Sequence, residues 1–129
     1  MTTKTPAAAP LAALRLYFPL STRAKPTRFW HHLSAPALAS HLLGVAAKAS
    51  IRQAMLQNIS AGYLPGERLS HAHPEAMAMR HPQCLELLDT ESKLRGFLAE
   101  HADELTKVHA VLFLCELPVI SANAAMASA

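Results

Sequence analysis

Residues 51–59 (IRQAMLQNI) and 83–89 (QCLELLD) are two apolar runs that flank a long polar segment. Runs of this length and composition are typical of core strands. The segment that joins them, residues 64–81, is too long for a tight hairpin turn. Loops of this length inside a compact domain are usually functional or disordered. The pattern therefore predicts two strands joined by a long loop (residues 64–81) that contacts another molecule.

The sequence before these runs predicts a strand and a helix. Leu14, Leu16 and Phe18 alternate with other side chains, which predicts a first strand over residues 11–20. A helix is expected to begin near residues 34–36, because serine can cap a helix and proline is tolerated in the first turn. The apolar stripe of this helix consists of Leu38, Leu42, Val45, Ala46 and Ala49.

The sequence after the third strand, residues 84–89, predicts a second helix and a last strand. Thr90 suits the N-cap, and Glu91 suits the positive end of the helix dipole. The expected apolar face of the helix consists of Leu94, Phe97, Leu98, Ala102 and Leu105. Residues 109–119 are expected to form the fourth strand. The order of elements predicts an α+β, ferredoxin-like βαββαβ sandwich, with a four-stranded antiparallel sheet and two helices on one face.

The length and composition indicate one domain, expected over residues 11–119, between flexible tails at residues 1–10 and 120–129. A chain of 129 residues supports a single core. Charged residues make up 16% and the net charge is only +3, without the clustered basic face that nucleic acid requires. The sequence contains no apolar run of roughly eighteen residues, so it predicts no membrane span. Two cysteines without metal-type spacing favour a reducing cytoplasm.

The fourth strand is apolar on both faces, which predicts self-association. Val111 and Phe113 share one face with Cys115 and Leu117, whereas Leu112 and Leu114 lie on the other. Two helices cover only one face of a four-stranded sheet, and an open antiparallel face is normally polar. We therefore expect other copies of this chain to cover the second face.

Four segments in this order resemble the trimeric PII-type signalling proteins, and more closely the largely uncharacterised bacterial PII-like family. They are LRLY at 14–17, SIRQA at 50–54, GY at 62–63 and PQCLELLDTE at 82–91. The resemblance implies a homotrimer whose sheets face inward. It further implies that a small ligand, usually an adenine nucleotide, binds in the clefts between subunits. The long loop would then report to a transporter or enzyme target.

Two positions depart from the family pattern and disfavour ordinary ATP binding. The chain has Leu64 where signalling PII proteins place a second glycine, and it has no glycine in residues 103–109. A phosphate-binding turn usually depends on the conformational freedom of glycine. The fold and the assembly that the resemblance implies do not depend on these positions. The effector is therefore expected to be a nucleotide or another anion.

The expected ligand-binding residues are Arg52, Gly62, Tyr63, Arg68 and Lys107. The basic members of this set, together with Arg80, are suited to hold an anion in an inter-subunit cleft. The alternative is that they are solvated or form inter-subunit salt bridges to Glu67, Glu86 or Glu116. Tyr63 either stacks on a ligand or anchors packing. No nucleotide fingerprint or nucleophile elbow is present, so the prediction is a non-enzymatic regulatory protein.

The long loop also contains the only cluster of metal-capable side chains in the sequence. His71, His73 and His81, with Glu75 nearby, suit zinc, copper or nickel. This pattern supports a different function, a metal-ion-binding or metal-tolerance trimer. The alternative is a solvated loop that is rich in histidine, since four ligands at a recognised spacing are not found.

Overall fold

A computed structural model describes residues 9–24, 37–73 and 78–118 of the chain. The elements are β1 (Leu11–Pro19), α1 (Leu38–Lys48), β2 (Gln53–Asn58), β3 (Ala61–Gly62), β4 (Ser70–His71), β5 (Pro82–Thr90), α2 (Glu91–Glu100), a 3₁₀ turn (Ala102–Leu105) and β6 (His109–Cys115). The predicted α+β class, with a four-stranded antiparallel sheet and two helices, is confirmed. This architecture is compatible with a ferredoxin-like fold.

The main sheet has the strand order β2-β5-β1-β6, and every neighbouring pair is antiparallel. The central strand β1 therefore pairs on both sides. In the register, Leu14 lies opposite Leu87 of β5 and Leu112 of β6. Directly opposed residues share one face of a sheet, so this row defines the face on which the core is built.

Both helices pack their apolar stripes against this core face. Leu14, Leu16 and Phe18 of β1 are fully buried and belong to one cluster with residues of both helices. Helix α1 contributes Leu38, Leu42 and Ala46, and α2 contributes Leu94 and Phe97. Burying a leucine side chain stabilises the fold by roughly 1.5–3 kcal/mol, so these residues dominate the favourable energy of folding.

The helix termini agree with the sequence in one case and differ in another. Thr90 caps α2 as predicted, because its hydroxyl accepts a hydrogen bond from the Lys93 N–H at 3.3 Å. The expected start of α1 at residues 34–36 lies outside the described residues. Helix α2 ends at Glu100, and Leu105 is buried from the 3₁₀ turn instead of from the helix. Ala102, expected on the same face, is exposed.

The strand boundaries also differ from the predicted ones. Strand β6 ends at Cys115, because pairing with β1 stops where β1 begins at Leu11. The apolar residues after it therefore do not extend the strand. The beginning of the polar segment forms a small hairpin, β3 with β4, which was not predicted. The expected tails lie outside the described residues except for residues 9 and 10.

Among residues 9–24, 37–73 and 78–118, no helix packs on the second face of the sheet, which we call the open face. It bears Arg15, Met55, Glu86, Val111 and Phe113, as the alternation along the strands and their register require. Met55, Val111 and Phe113 remain 52%, 38% and 37% exposed. Within the described part of the chain, no helix has the length and apolarity needed to cross a membrane.

Hydrogen bonds to Asp89 connect the residue before β2 to the junction of β5 and α2. Its carboxylate accepts hydrogen bonds from the N–H groups of Thr90 at 2.7 Å and Arg52 at 2.8 Å. The Lys93 ammonium lies 3.6 Å from Asp89 Oδ2 and donates to the Ser50 carbonyl. Burial by itself raises the pKa of Asp89, but these hydrogen bonds and the ammonium lower it overall.

The variant Asp89→Ala is expected to lower the free energy of unfolding by about 2 kcal/mol at pH 7, because two backbone N–H groups in partly buried hydrogen bonds lose their acceptor. Since the folded pKa is depressed, this stabilisation is present above the ordinary pKa of aspartate and is lost as pH falls through the folded value. Urea unfolding at pH 7 and pH 3 measures the effect. Asp103→Ala, at an exposed aspartate, is the matched control. A destabilisation equal at both pH values would contradict the assignment.

Candidate functional site at the base of the long loop

Two adjoining cavities lie where the long loop leaves the sheet. They have volumes of about 290 Å³ and 530 Å³ and share Pro19, Glu67 and Lys107 in their walls. We call the pair the basal cleft. The smaller cavity is also lined by Tyr17 and His109, and the larger one by Ser21, Thr22 and Arg23.

Three separate parts of the chain form the basal cleft. The end of β1 is held beside the end of the loop, because the Leu20 N–H donates to the His81 carbonyl at 3.0 Å. Tyr17 lies opposite His109, which brings Lys107 next to the end of β1. The third wall is the first turn of the long loop, including Glu67. The cleft is thus open to a ligand that contacts core and loop together.

The first turn of the loop depends on one glycine. The Glu67 N–H donates to the Leu64 carbonyl at 2.9 Å, and Gly66 within this turn has a φ of 79°. This left-handed conformation is readily accessible to glycine and costs other residues free energy. Gly66 therefore allows the chain to turn so that Glu67 lines the cleft.

The balance of charge in the cleft favours an anion. Glu67 is the acidic residue of the lining, and its two carboxylate oxygens both accept from Arg80 Nη1 at 3.0 Å. Its carboxylate is therefore paired with a positive charge on the loop side, in an ion pair that solvent screens. Lys107 and Arg23 contribute positive charge to the same walls, and Ser21, Thr22 and Thr106 contribute hydroxyl donors. Ammonium, guanidinium and hydroxyl groups suit a carboxylate or a phosphate.

The Glu67–Arg80 ion pair also spans a third cavity inside the loop. This cavity, of about 460 Å³, lies between residues 66–70 and residues 78–80, and Arg68 lines it as well. Glu67 therefore stands in the walls of both the basal cleft and the loop cavity. This carboxylate thus lies in contact with both cavities.

The root of the loop is held by a buried histidine. His81 is 1% exposed, and its Nε2 lies 2.6 Å from the Ile59 carbonyl oxygen while its Nδ1 lies 2.8 Å from Ser70 Oγ. A carbonyl only accepts, so Nε2 carries a proton and donates to Ile59, while Nδ1 is hydrogen-bonded to the Ser70 hydroxyl. One side chain thus joins the end of β2, strand β4 and the start of β5.

The structure brings four of the five predicted ligand-binding residues to the loop end of the sheet. Lys107 lines the basal cleft, and Arg68 lines the loop cavity. Gly62 pairs with Ser70, and Tyr63 is exposed next to the cleft residue Leu64.

Arg52 is not part of this group within one protomer. It precedes β2 and binds Asp89, which pairs with Ala12 near the start of β1. Pro19, in the wall of the cleft, is the last residue of β1. Most of the length of β1, roughly 20 Å, therefore separates Arg52 from the cleft.

The predicted metal-binding histidines are not assembled into a site. His71 and His73 are exposed, whereas His81 is buried with both ring nitrogens in hydrogen bonds. Among the described residues, no group of three or more His, Cys, Asp or Glu side chains is arranged to hold a metal ion. Glu75, the carboxylate near these histidines, lies outside the described residues. His81 cannot serve as a ligand while it holds the root of the loop.

Several cleft residues were missed in the sequence. Tyr17, Arg23, Glu67 and His109 each belong to a different segment, and nothing in their local sequence connects them. The antiparallel sheet order carries a usable signal, because it places the end of β1 beside the start of β6. Arg80 forms a salt bridge to Glu67 within the protomer, whereas the alternative in the sequence analysis was a salt bridge between subunits.

The chain matches no protein-family model, and a search of the curated proteins finds no similar protein.

The variant His81→Leu is expected to lower the free energy of unfolding by about 2 kcal/mol, because a carbonyl and a hydroxyl in partly buried hydrogen bonds both lose their partner. The loop root should open first. Hydrogen exchange at the Ala72 N–H, which donates to the Ser60 carbonyl at 2.8 Å, should therefore accelerate. His73→Leu, at an exposed histidine, is the matched control. Unchanged exchange at Ala72 in the His81 variant would contradict the role of His81.

Proposed function

We propose that this chain is a PII-like regulatory protein without enzymatic activity. In this proposal a small anionic effector, a nucleotide or a simpler anion, binds in the basal cleft, and the long loop contacts a partner protein. The residues that resemble PII-type proteins support it, as does the compatibility of the sheet with the ferredoxin-like βαββαβ order.

The single observation that carries the proposal is the double position of Glu67. Its carboxylate lines the basal cleft and also accepts hydrogen bonds from Arg80, which lines the loop cavity. An anion bound at Lys107 increases the cost of an uncompensated negative charge at Glu67. The effector therefore favours loop conformations in which Glu67 stays paired with Arg80. A ligand shifts a conformational equilibrium only through such a difference in affinity.

The proposal includes assembly into a homotrimer, as in the proteins that the chain resembles. The exposed apolar side chains of the open face support it, since a large exposed apolar area usually marks an interface. In that arrangement the clefts lie between subunits, and neighbouring copies contribute to the walls of the effector site.

The cysteines support a regulatory role over a catalytic one. The Cys84 thiol is buried, and this burial raises its pKa, so that the reactive thiolate is disfavoured. Cys115 lies at the other end of the sheet, opposite Leu11, whereas Cys84 lies opposite Tyr17. The buried Cys84 thiol is therefore poorly suited to act as a nucleophile.

Isothermal titration with adenine nucleotides, bicarbonate and simple carboxylates tests the effector site. At least one anion is expected to bind, and Lys107→Ala should weaken its binding about tenfold, since a charge-assisted contact contributes roughly 1.4 kcal/mol or more. Lys48→Ala, at an exposed lysine in the last turn of α1, is the matched control and should bind like the wild type. Absence of heat with every anion would overturn the proposal.

The variant Glu67→Gln tests the coupling between cleft and loop. The charge of Glu67 repels an anion, so its removal should strengthen effector binding severalfold while the ion pair with Arg80 is lost. Hydrogen exchange of residues 66–73 should then no longer respond to the effector. Glu116→Gln, beyond the end of β6, should leave both measurements unchanged. If the loop of the Glu67 variant still responds fully, the coupling runs through other residues.

A further inference from the structure

One ion pair stands in the middle of the open face. Arg15 lies opposite Glu86 on one side and Val111 on the other, and Met55 lies opposite Glu86. The four side chains form one row across all four strands of the main sheet. The row places the charges at the centre and the apolar side chains at the two edge strands.

The ion pair is arranged so that a second molecule can continue it. Arg15 Nε donates to Glu86 Oε2 at 2.7 Å, and the Arg15 guanidinium lies over the Phe113 ring, 5.0 Å from its centroid. This hydrogen bond uses the inner nitrogen of the guanidinium and one carboxylate oxygen. The Arg15 guanidinium also hydrogen-bonds the Tyr17 side chain of the same copy. Arginine has five N–H donors, so the remaining ones, together with Glu86 Oε1, are left for a partner. Both side chains remain partly exposed in the protomer.

The composition of the open face decides which partner fits. Among the described strand residues on this face, Arg15 and Glu86 are the only acidic or strongly basic groups, so their charges cancel. Nucleic acid and anionic membranes require an excess of positive charge. A lipid chain or an uncharged apolar peptide that bound here would remove water from both charged groups and offer them no new hydrogen-bond partners. The resulting desolvation costs free energy.

In the proposed homotrimer the open faces of the copies meet, and we propose that Arg15 of each copy pairs there with Glu86 of a neighbouring copy. A second copy offers one guanidinium and one carboxylate among exposed apolar side chains, which is the complement that this face requires. In a closed symmetric assembly every copy makes the same contacts, so each Arg15 and each Glu86 has a partner in a neighbouring copy. Apolar contact supplies the affinity, and the ion pairs fix the register. This inference rests on the homotrimer in the proposed function.

A charge-swapped variant, R15E/E86R, tests the pairing between copies. Within one copy it keeps a cross-strand ion pair, and between two swapped copies it keeps complementary charges. Between a swapped copy and a wild-type copy, like charges meet. Native mass spectrometry of the two proteins mixed after dissociation is expected to show each assembling with itself. Mixed assemblies should fall at least about tenfold below random mixing, since like charges in contact cost several kcal/mol.

The matched control is a second charge swap away from the open face, E91R/R95E on α2. Arg95 Nε lies 2.9 Å from Glu91 Oε2 in an exposed pair within one helix. Copies with this swap should mix randomly with the wild type. Circular dichroism and thermal unfolding verify that both swapped proteins fold.

Met55→Lys provides a test that does not depend on the folding of the charge swap. A lysine next to Glu86 is favourable within one copy, and Met55 is on an edge strand and half exposed, so the protomer should fold. Between copies the new ammonium would be buried, so sedimentation at micromolar concentration should show a single-copy species. A variant that remains assembled would overturn the proposed contact.

The outcomes separate this inference from the proposed function. Random mixing of swapped and wild-type copies in intact assemblies overturns the pairing of Arg15 with Glu86 and leaves the effector site unaffected. A wild-type protein that sediments as a single copy overturns the interface and the trimer together. Loss of effector binding with assembly intact overturns the sensor function alone.

Discussion

The fold depends on the burial of one face of β1. Its inward side chains, Leu14, Leu16 and Phe18, are fully buried between the flanking strands and the two helices. Because side chains alternate along a strand, committing these residues to the core commits Arg15 and Tyr17 to the opposite face. The open face, with its ion pair and exposed apolar residues, is therefore a direct consequence of how the core is built.

The same constraint positions the basal cleft. Pairing of β1 with both β5 and β6 brings the end of β1, the turn before β6 and the root of the long loop to one end of the sheet. The buried ring of His81 holds that root, so the loop begins from a fixed base. Beyond the base, the loop is held by partly exposed polar contacts such as Glu67 with Arg80. A fixed root and a loosely held wall suit a site whose ligand alters the loop.

Local patterns in the sequence were sufficient for much of the fold. The sequence predicted the alternation in β1, the Thr90 cap and the apolar stripes of both helices. Each of these features involves residues that are close in sequence, so it can be recognised without the structure. The hairpin of β3 with β4 was missed because each strand has only two residues and shows no periodicity. The role of His81 was missed because its partners, Ile59 and Ser70, belong to other segments.

The sequence by itself determined the α+β class, the four main strands and the apolar character of both sheet faces, since these follow from periodicity and capping. Only the tertiary structure decided which charged residues meet. It joined Lys107 and Glu67 at the cleft, paired Arg15 with Glu86, and placed Arg52 at the far end of the sheet. The physical reason is that strand order and register set the distances between residues far apart in sequence. Neither the order nor the register can be recognised from a local stretch of the chain.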